Sequence, residues 1–206
     1  MKFDIMLTGV GGEGVLTAAS IIARAANYEG LFVRGVQLHG LSQRGGSIPT
    51  FVRFGAEGEI SSPGIMQGNA NLVLAFEPLE AVRAVFYARK EKTTFVINNW
   101  PHMPVYANLL DLPYPSIEEI VKRIERFSAK TLVFDAHGIA KEKFGSVVLG
   151  NTILIGAALG AGVLPLKEKS LRTAVIASSP RNAEDNLKAF EMGITIGKKA
   201  SEQNAH

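Results

Sequence analysis

Two glycine-rich stretches hold the residues whose types and spacing could do chemistry. The first, TGVGGEGVLTAAS from Thr8 to Ser20, follows the apolar run FDIML and sets Gly9, Gly11 and Gly14 at a GxGxxG spacing. Glycines so placed let a strand turn sharply into a helix whose first N–H groups face an incoming anion. A dinucleotide site also needs an acid at the end of the second strand for the ribose hydroxyl. That stretch, LFVRGVQLHG, offers Arg34, Gln37 and His39 but no carboxylate. Arg34 suits a 2′-phosphate, whereas Glu13 stands where a pyrophosphate would be cradled and would repel it. The residues alone leave three readings open: a nucleotide loop, a plain strand-to-helix turn, or a backbone surface that lets another group approach.

The second stretch is QLHGLSQRGGSIPTFVRFG, Gln37 to Gly55. Arg44 followed by Gly45 and Gly46 has the makings of an anion loop, because two glycines expose backbone N–H groups beside a planar guanidinium. The plain alternative is a flexible turn before a strand. In a doubly wound sheet both loops gather at the carboxyl edge, so they can face each other. Two further motifs invite false assignments. VINNW, Val96 to Trp100, lacks the GDG that accompanies the magnesium-binding asparagines of a thiamine diphosphate site, so it is expected to be a strand end. FDAHG sets Asp135 beside His137, but such near neighbours rarely act as a catalytic pair. No Ser-His-Asp set, HExxH or Walker loop is present.

Composition narrows the chemistry further. With no cysteine, the chain can supply no disulfide, thiolate nucleophile, zinc ribbon or iron–sulfur ligand. The net charge of +3 is not gathered into a basic run, which argues against nucleic acid. The start MKFDIML reaches glycine before a signal-peptide core develops, so a cytoplasmic location is expected. Gly145 to Leu166 is uncharged and long enough to span a bilayer, with Gly156 and Gly160 at small-xxx-small spacing. Asn151, Thr152, the many glycines and Pro165 point instead to a buried or interface helix, and no membrane association is expected.

The elements that must position these loops follow from periodicity. Phe3–Thr8, Leu31–Val36, Ser47–Phe54, Asn71–Phe76, Thr93–Asn98 and Lys130–Ala136 are expected strands, the last three being apolar runs without alternation, as in strands buried on both faces. Glu13–Tyr28 is expected to be a helix with one narrow polar stripe, Thr17, Ser20, Arg24 and Asn27. Leu79–Tyr87 and Ser116–Phe127 are further helices, the second opened by a capping box at Ser116 and Glu119 and burying Ile117, Ile120, Val121, Ile124 and Phe127. A last amphipathic helix starts at Ser179–Pro180, carries Ala183, Leu187, Phe190, Ile194 and Gly197 on one face, and leaves a loose tail from residue 202. The expected fold is α/β: one Rossmann-like, doubly wound domain over residues 1–201, with a mostly parallel sheet and helices on both faces.

Five stretches together resemble a known family: MLTGVGGEGVLTAASIIARAA, HGLSQRGGS followed by VRFG, ISSPGIMQGNANLVLAFEPLEAVRA, NTILIGAALGAGVLPL and NLKAFEMG. In this order, over nearly the whole chain, they resemble the beta subunits of indolepyruvate ferredoxin oxidoreductases and, more broadly, the gamma module of the 2-oxoacid:ferredoxin oxidoreductases. The resemblance implies one subunit of an enzyme that oxidatively decarboxylates aryl pyruvates with coenzyme A, giving an aryl-acetyl-CoA, carbon dioxide and reduced ferredoxin. It places thiamine diphosphate, magnesium and the 4Fe-4S clusters on a large alpha subunit, so that this chain is inactive alone; if the uncharged segment Ser146 to Leu166 is an interface or core helix, the chain lacking its partner is expected to self-associate through exposed apolar surface. Gly11, Gly12, Glu13, Gly14, Gln43, Arg44, Gly45 and Gly46 are then expected to form an edge facing substrate, coenzyme A or the partner. In that arrangement an anion sits nearer Arg44, and Glu13 bonds the partner or its thiamine. The alternatives are a stand-alone nucleotide-binding module and a gamma subunit serving another 2-oxoacid.

Overall fold

A computed structural model describes residues 2–38 and 45–203; residues 39–44, which include His39, Gln43 and Arg44, lie outside the described residues. The elements in chain order are β1 (Phe3–Thr8), α1 (Val15–Tyr28), β2 (Phe32–Gln37), β3 (Thr50–Gly55), β4 (Leu72–Ala75), α2 (Pro78–Ala84) and β5 (Thr94–Asn98). They continue with α3 (Val105–Leu109), α4 (Ile117–Ile124), β6 (Lys130–Phe134), α5 (Ala136–Phe144), α6 (Gly150–Gly160), α7 (Glu168–Ser178) and α8 (Ala183–Gln203).

The six strands form one sheet in the order β2-β3-β1-β4-β5-β6. β1, β4, β5 and β6 are parallel neighbours, whereas β3 runs antiparallel to both β1 and β2. The antiparallel pair arises because the chain comes back from β2 to β3 as a hairpin rather than as a crossover. Alternate residues of the strands feed two cores. Ile5, Leu7, Phe54, Leu74 and Val96 pack with α1 and the carboxyl-terminal helices on one face, while Met6, Phe51, Val73, Phe95 and Ile97 pack with α2 and α4 on the other.

The stripe expected on α1 is in solvent: Thr17, Ser20, Arg24 and Asn27 are all exposed. In α4 both halves of the capping box form at 3.2 Å, Glu119 N–H to Ser116 Oγ and Ser116 N–H to Glu119 Oε2. The helix ends at Ile124, however, so only Ile120 and Ile124 are fully buried, and Phe127, past the last turn, is 41% exposed. The uncharged segment becomes α6, packed on α8 through facing glycines. A Cβ on Gly156 would lie 2.2 Å from the carbonyl oxygen of Phe190, and one on Gly193 would lie 2.1 Å from that of Ile153. This contact belongs to the chain's own core, and no helix among the described residues is long and apolar enough to cross a membrane. Pro180–Asn182 is a 3-10 turn that precedes α8, and α8 runs through Gln203, two residues into the stretch expected to be a tail.

Candidate functional site

The chain leaves β1 through α1 toward one side of the sheet and leaves β4 through α2 toward the other, so the two connections diverge at the carboxyl ends of β1 and β4. Open α/β sheets hold their ligands at such a crevice. Here it is walled by the glycine turn after β1, Glu77 and α2 after β4, Asn98 to His102 after β5 and the start of α5 after β6.

The two glycine elements do meet. Gly11 N–H donates to the Gly46 carbonyl at 2.8 Å, Ile48 N–H donates to that of Gly9 at 2.9 Å, and Val10 bridges Ser47. Gly12 and Gly14 have φ of 104° and 79°, conformations that favour glycine. Glu13 folds back under this turn: its Oε2 accepts Val10 N–H at 2.7 Å, and a Cβ on Gly9 would lie 2.8 Å from that oxygen. Val10, Gly11 and Glu13 N–H groups are thus engaged within the chain, which removes donors that a pyrophosphate would require. Arg34, the candidate for a 2′-phosphate, donates to the Ile60 carbonyl and lies over the Phe32 ring.

Behind the turn lies a group of carboxyls that spacing did not reveal. Glu77 is buried and caps α2 by accepting Glu80 N–H at 2.9 Å; it also accepts His102 N–H at 3.2 Å and the Tyr114 hydroxyl. Glu80 accepts the Ser47 hydroxyl at 2.5 Å and that of Thr8 at 3.4 Å, and pairs with Arg83 at 2.9 Å. Burial pushes Glu13 up to about 7, against the pull of Val10 N–H and reinforced by the charges of Glu77 and Glu80. Burial likewise raises Glu80, opposed by Ser47 and Arg83. The Tyr114 hydroxyl is pushed above its usual range, first by burial and then by Glu77. The available signal was local: an acid directly before Pro78, where a helix must be capped.

A second buried relay fixes the turn from the side. Asn151 Nδ2 donates to the Glu13 carbonyl at 2.6 Å, which leaves Oδ1 to accept; His137 Nε2, 3.1 Å from Oδ1, is therefore the protonated ring nitrogen. Burial lowers the His137 pKa, so the ring is neutral and Nδ1 keeps its lone pair. Trp100 meets this ring edge to face, 5.8 Å between centroids. Asp135 instead caps α5 through Gly138 N–H at 2.7 Å, so Asp135 and His137 do not form a catalytic pair. Asn98 braces the sheet edge, donating to the Phe76 carbonyl and accepting the N–H groups of Ala136 and His137. The asparagines of VINNW thus mark a strand end, as expected. Between the glycine turn, Trp100, His102, His137, Val147 and Val148 is a cavity of about 220 Å3.

Of the expected site residues, Gly11, Gly12, Glu13, Gly14, Gly45 and Gly46 come together at this edge. Gln43 and Arg44 lie outside the described residues. The metal groups implied by the resemblance do not fit this chain: cluster iron needs thiolates, the sequence has no cysteine, and no group of three His, Cys, Asp or Glu among the described residues could hold a metal ion.

Residues 4–196 match the family described as pyruvate ferredoxin/flavodoxin oxidoreductase. The chain is 40% identical over 200 residues to indolepyruvate oxidoreductase subunit IorB of Pyrococcus horikoshii, covering 96% of each. It is 29% identical to the common gamma subunit of the pyruvate/ketoisovalerate oxidoreductases of Pyrococcus abyssi, covering 91% of this chain and 95% of that one. In fold it is similar to the crystal structure of the keto/oxoacid ferredoxin oxidoreductase gamma subunit from Geobacter sulfurreducens, with a TM-score of 0.68 and 21% identity over 96% of this chain and 99% of that one. With the mixed sheet, the glycine turn and an end-to-end match in agreement, the chain belongs to the pyruvate ferredoxin/flavodoxin oxidoreductase family.

Proposed function

We propose that the chain is the beta subunit of an indolepyruvate oxidoreductase, completing an active site whose thiamine diphosphate, magnesium and iron–sulfur clusters sit on a large alpha subunit. The observation that carries this reading is the 40% identity, over 96% of both chains, to a subunit named for indolepyruvate, against 29% to one named for pyruvate and ketoisovalerate. The site's construction supports it. The carboxyl edge of the sheet presents a braced glycine turn, buried carboxyls and an aromatic wall, and a partner would have to supply the redox groups. The reaction assigned to the assembled enzyme is coenzyme A-dependent oxidative decarboxylation of aryl pyruvates, with electrons passing to ferredoxin.

In this reading Gly11, Gly12 and Gly14, with Gln43, Arg44, Gly45 and Gly46, form the edge offered to coenzyme A or substrate. Glu13 Oε2 braces its own turn, and Oε1 has no hydrogen-bond partner among the described residues. Reconstitution tests the reading. The chain and the alpha subunit together reduce ferredoxin with indolepyruvate and coenzyme A, and neither does so alone. Turnover of another 2-oxoacid but not of indolepyruvate would overturn the substrate, and tight NAD(P) binding by the chain alone would favour a nucleotide-binding module. Within the active complex, Arg44→Ala weakens coenzyme A by about 1.5–3 kcal/mol, the loss of one charged hydrogen bond; unchanged Michaelis constants would reduce SQRGG to a turn.

A further inference from the structure

We propose that the cavity between the glycine turn and Trp100 is the pocket for the indole ring of the 2-oxoacid, with the ring N–H donated to His137 Nδ1 or Glu13 Oε1. This rests on the indolepyruvate reading above. Four observations carry it. At about 220 Å3 the cavity is smaller than the ~300–1,000 Å3 that holds a whole drug-sized ligand, so it suits a single flat group. Besides Glu13, its walls are the Trp100, His102 and His137 rings, Val147, Val148 and glycine backbone, surfaces against which an aromatic ring gains dispersion and edge-to-face contact.

The polar groups of the lining are Glu13, the His102 and His137 rings, the Trp100 indole N–H and the backbone of Gly12 and Gly14. With Nε2 committed to Asn151 and Oε2 to Val10, His137 Nδ1 and Glu13 Oε1 have no hydrogen-bond partner among the described residues; Nδ1 of the neutral ring is an acceptor, and Oε1 is one when the carboxyl is ionised. A ring carrying an N–H satisfies the His137 Nδ1 acceptor, and a phenyl ring does not. Finally, the charges of Glu77 and Glu80 already oppose ionisation of Glu13 on the cavity wall, and they oppose an anion placed there in the same way. The substrate carboxylate is therefore kept outside, and the neutral aromatic end is the part that enters.

The test uses the assembled complex and compares kcat/KM for indolepyruvate with that for phenylpyruvate. His137→Phe keeps an aromatic ring but removes the acceptor. It lowers the indolepyruvate-to-phenylpyruvate ratio by about tenfold or more, since a site built to bond an N–H discriminates strongly against a substrate lacking it. Val148→Phe, at a position 69% exposed, narrows the mouth without entering the core; it raises KM for indolepyruvate more than for phenylpyruvate. A merely structural role for either residue would move both substrates equally, and an unchanged ratio in both variants, with assembly intact by gel filtration, overturns the proposal. Absence of indolepyruvate turnover in the unaltered complex would overturn the substrate reading itself, a result distinct from an unchanged ratio.

Discussion

The two ends of β1 handle buried charge in opposite ways. At the amino end Asp4 faces Arg53 in register across the β1–β3 pair, and the two side chains, 4% and 8% exposed, meet at 2.8 Å. The carbonyls of Ser62 and Gly64 take further guanidinium N–H groups, so the pair is both neutralised and hydrogen-bonded. At the carboxyl end Glu13, Glu77 and Glu80 gather, and among the described residues only Arg83, whose side chain is 57% exposed, forms an ion pair with any of them. Hydroxyls and backbone N–H groups do the rest. A balanced pair fixes strand register and is indifferent to its surroundings. An unbalanced group stays sensitive to protons and to whatever docks over it.

Breaking the balanced end has the largest effect. Asp4→Ala leaves the Arg53 guanidinium buried and unpaired and lowers stability by about 3–5 kcal/mol in urea unfolding. Next is Glu77→Ala, which strands Glu80 N–H, His102 N–H and the Tyr114 hydroxyl; about 2–3 kcal/mol is lost, and Glu77→Gln recovers part of it because an amide oxygen still accepts.

Glu13→Gln sharpens the contrast through pH. The folded value of about 7 lies above the ordinary 4.5, so the native chain holds a proton that the unfolded chain releases. The associated stability is fully present below pH 4.5 and is lost as pH rises through 7. Melting curves therefore coincide for Glu13→Gln and the parent near pH 4.5, and the variant becomes the more stable, by about 1–2 kcal/mol, at pH 8. Arg83→Ala has the smallest effect, about 0.5 kcal/mol, and it shrinks with added salt because the side chain is in solvent.

The amphipathic elements were readable from the sequence. The polar stripe of α1, the capping box of α4 and the buried strands β4 and β5 each repeat a local period or an end signal. The two glycine loops were found by their composition, and their meeting followed from the topology expected of the sheet. The short helices α3, α5 and α7 carry no comparable signal: α5 spans nine residues interrupted by Gly138, and in the sequence its cap, Asp135, reads only as the neighbour of His137. Glu77, Tyr114 and Asn151 are not legible as site residues for a different reason. Tyr114 reaches Glu77 across 37 positions of chain and Asn151 reaches Glu13 across 138, so no spacing rule connects them. Long-range polar contacts of this kind become visible only when the sheet has brought the loops together.

In the proposed complex the carboxyl edge of the sheet is the face closed by the partner. Because the sequence has no cysteine, one introduced thiol is unique in this chain. Leu16→Cys places it on the first turn of α1 beside the glycine turn, at a position 52% exposed, and Glu57→Cys places a control in the exposed loop after β3, at the opposite end of β1. Maleimide labelling, read by mass spectrometry on this chain, is compared before and after assembly with the alpha subunit. Leu16→Cys is expected to lose its reactivity in the complex while Glu57→Cys keeps it; equal labelling of Leu16→Cys in the free chain and the active complex would contradict closure at this edge.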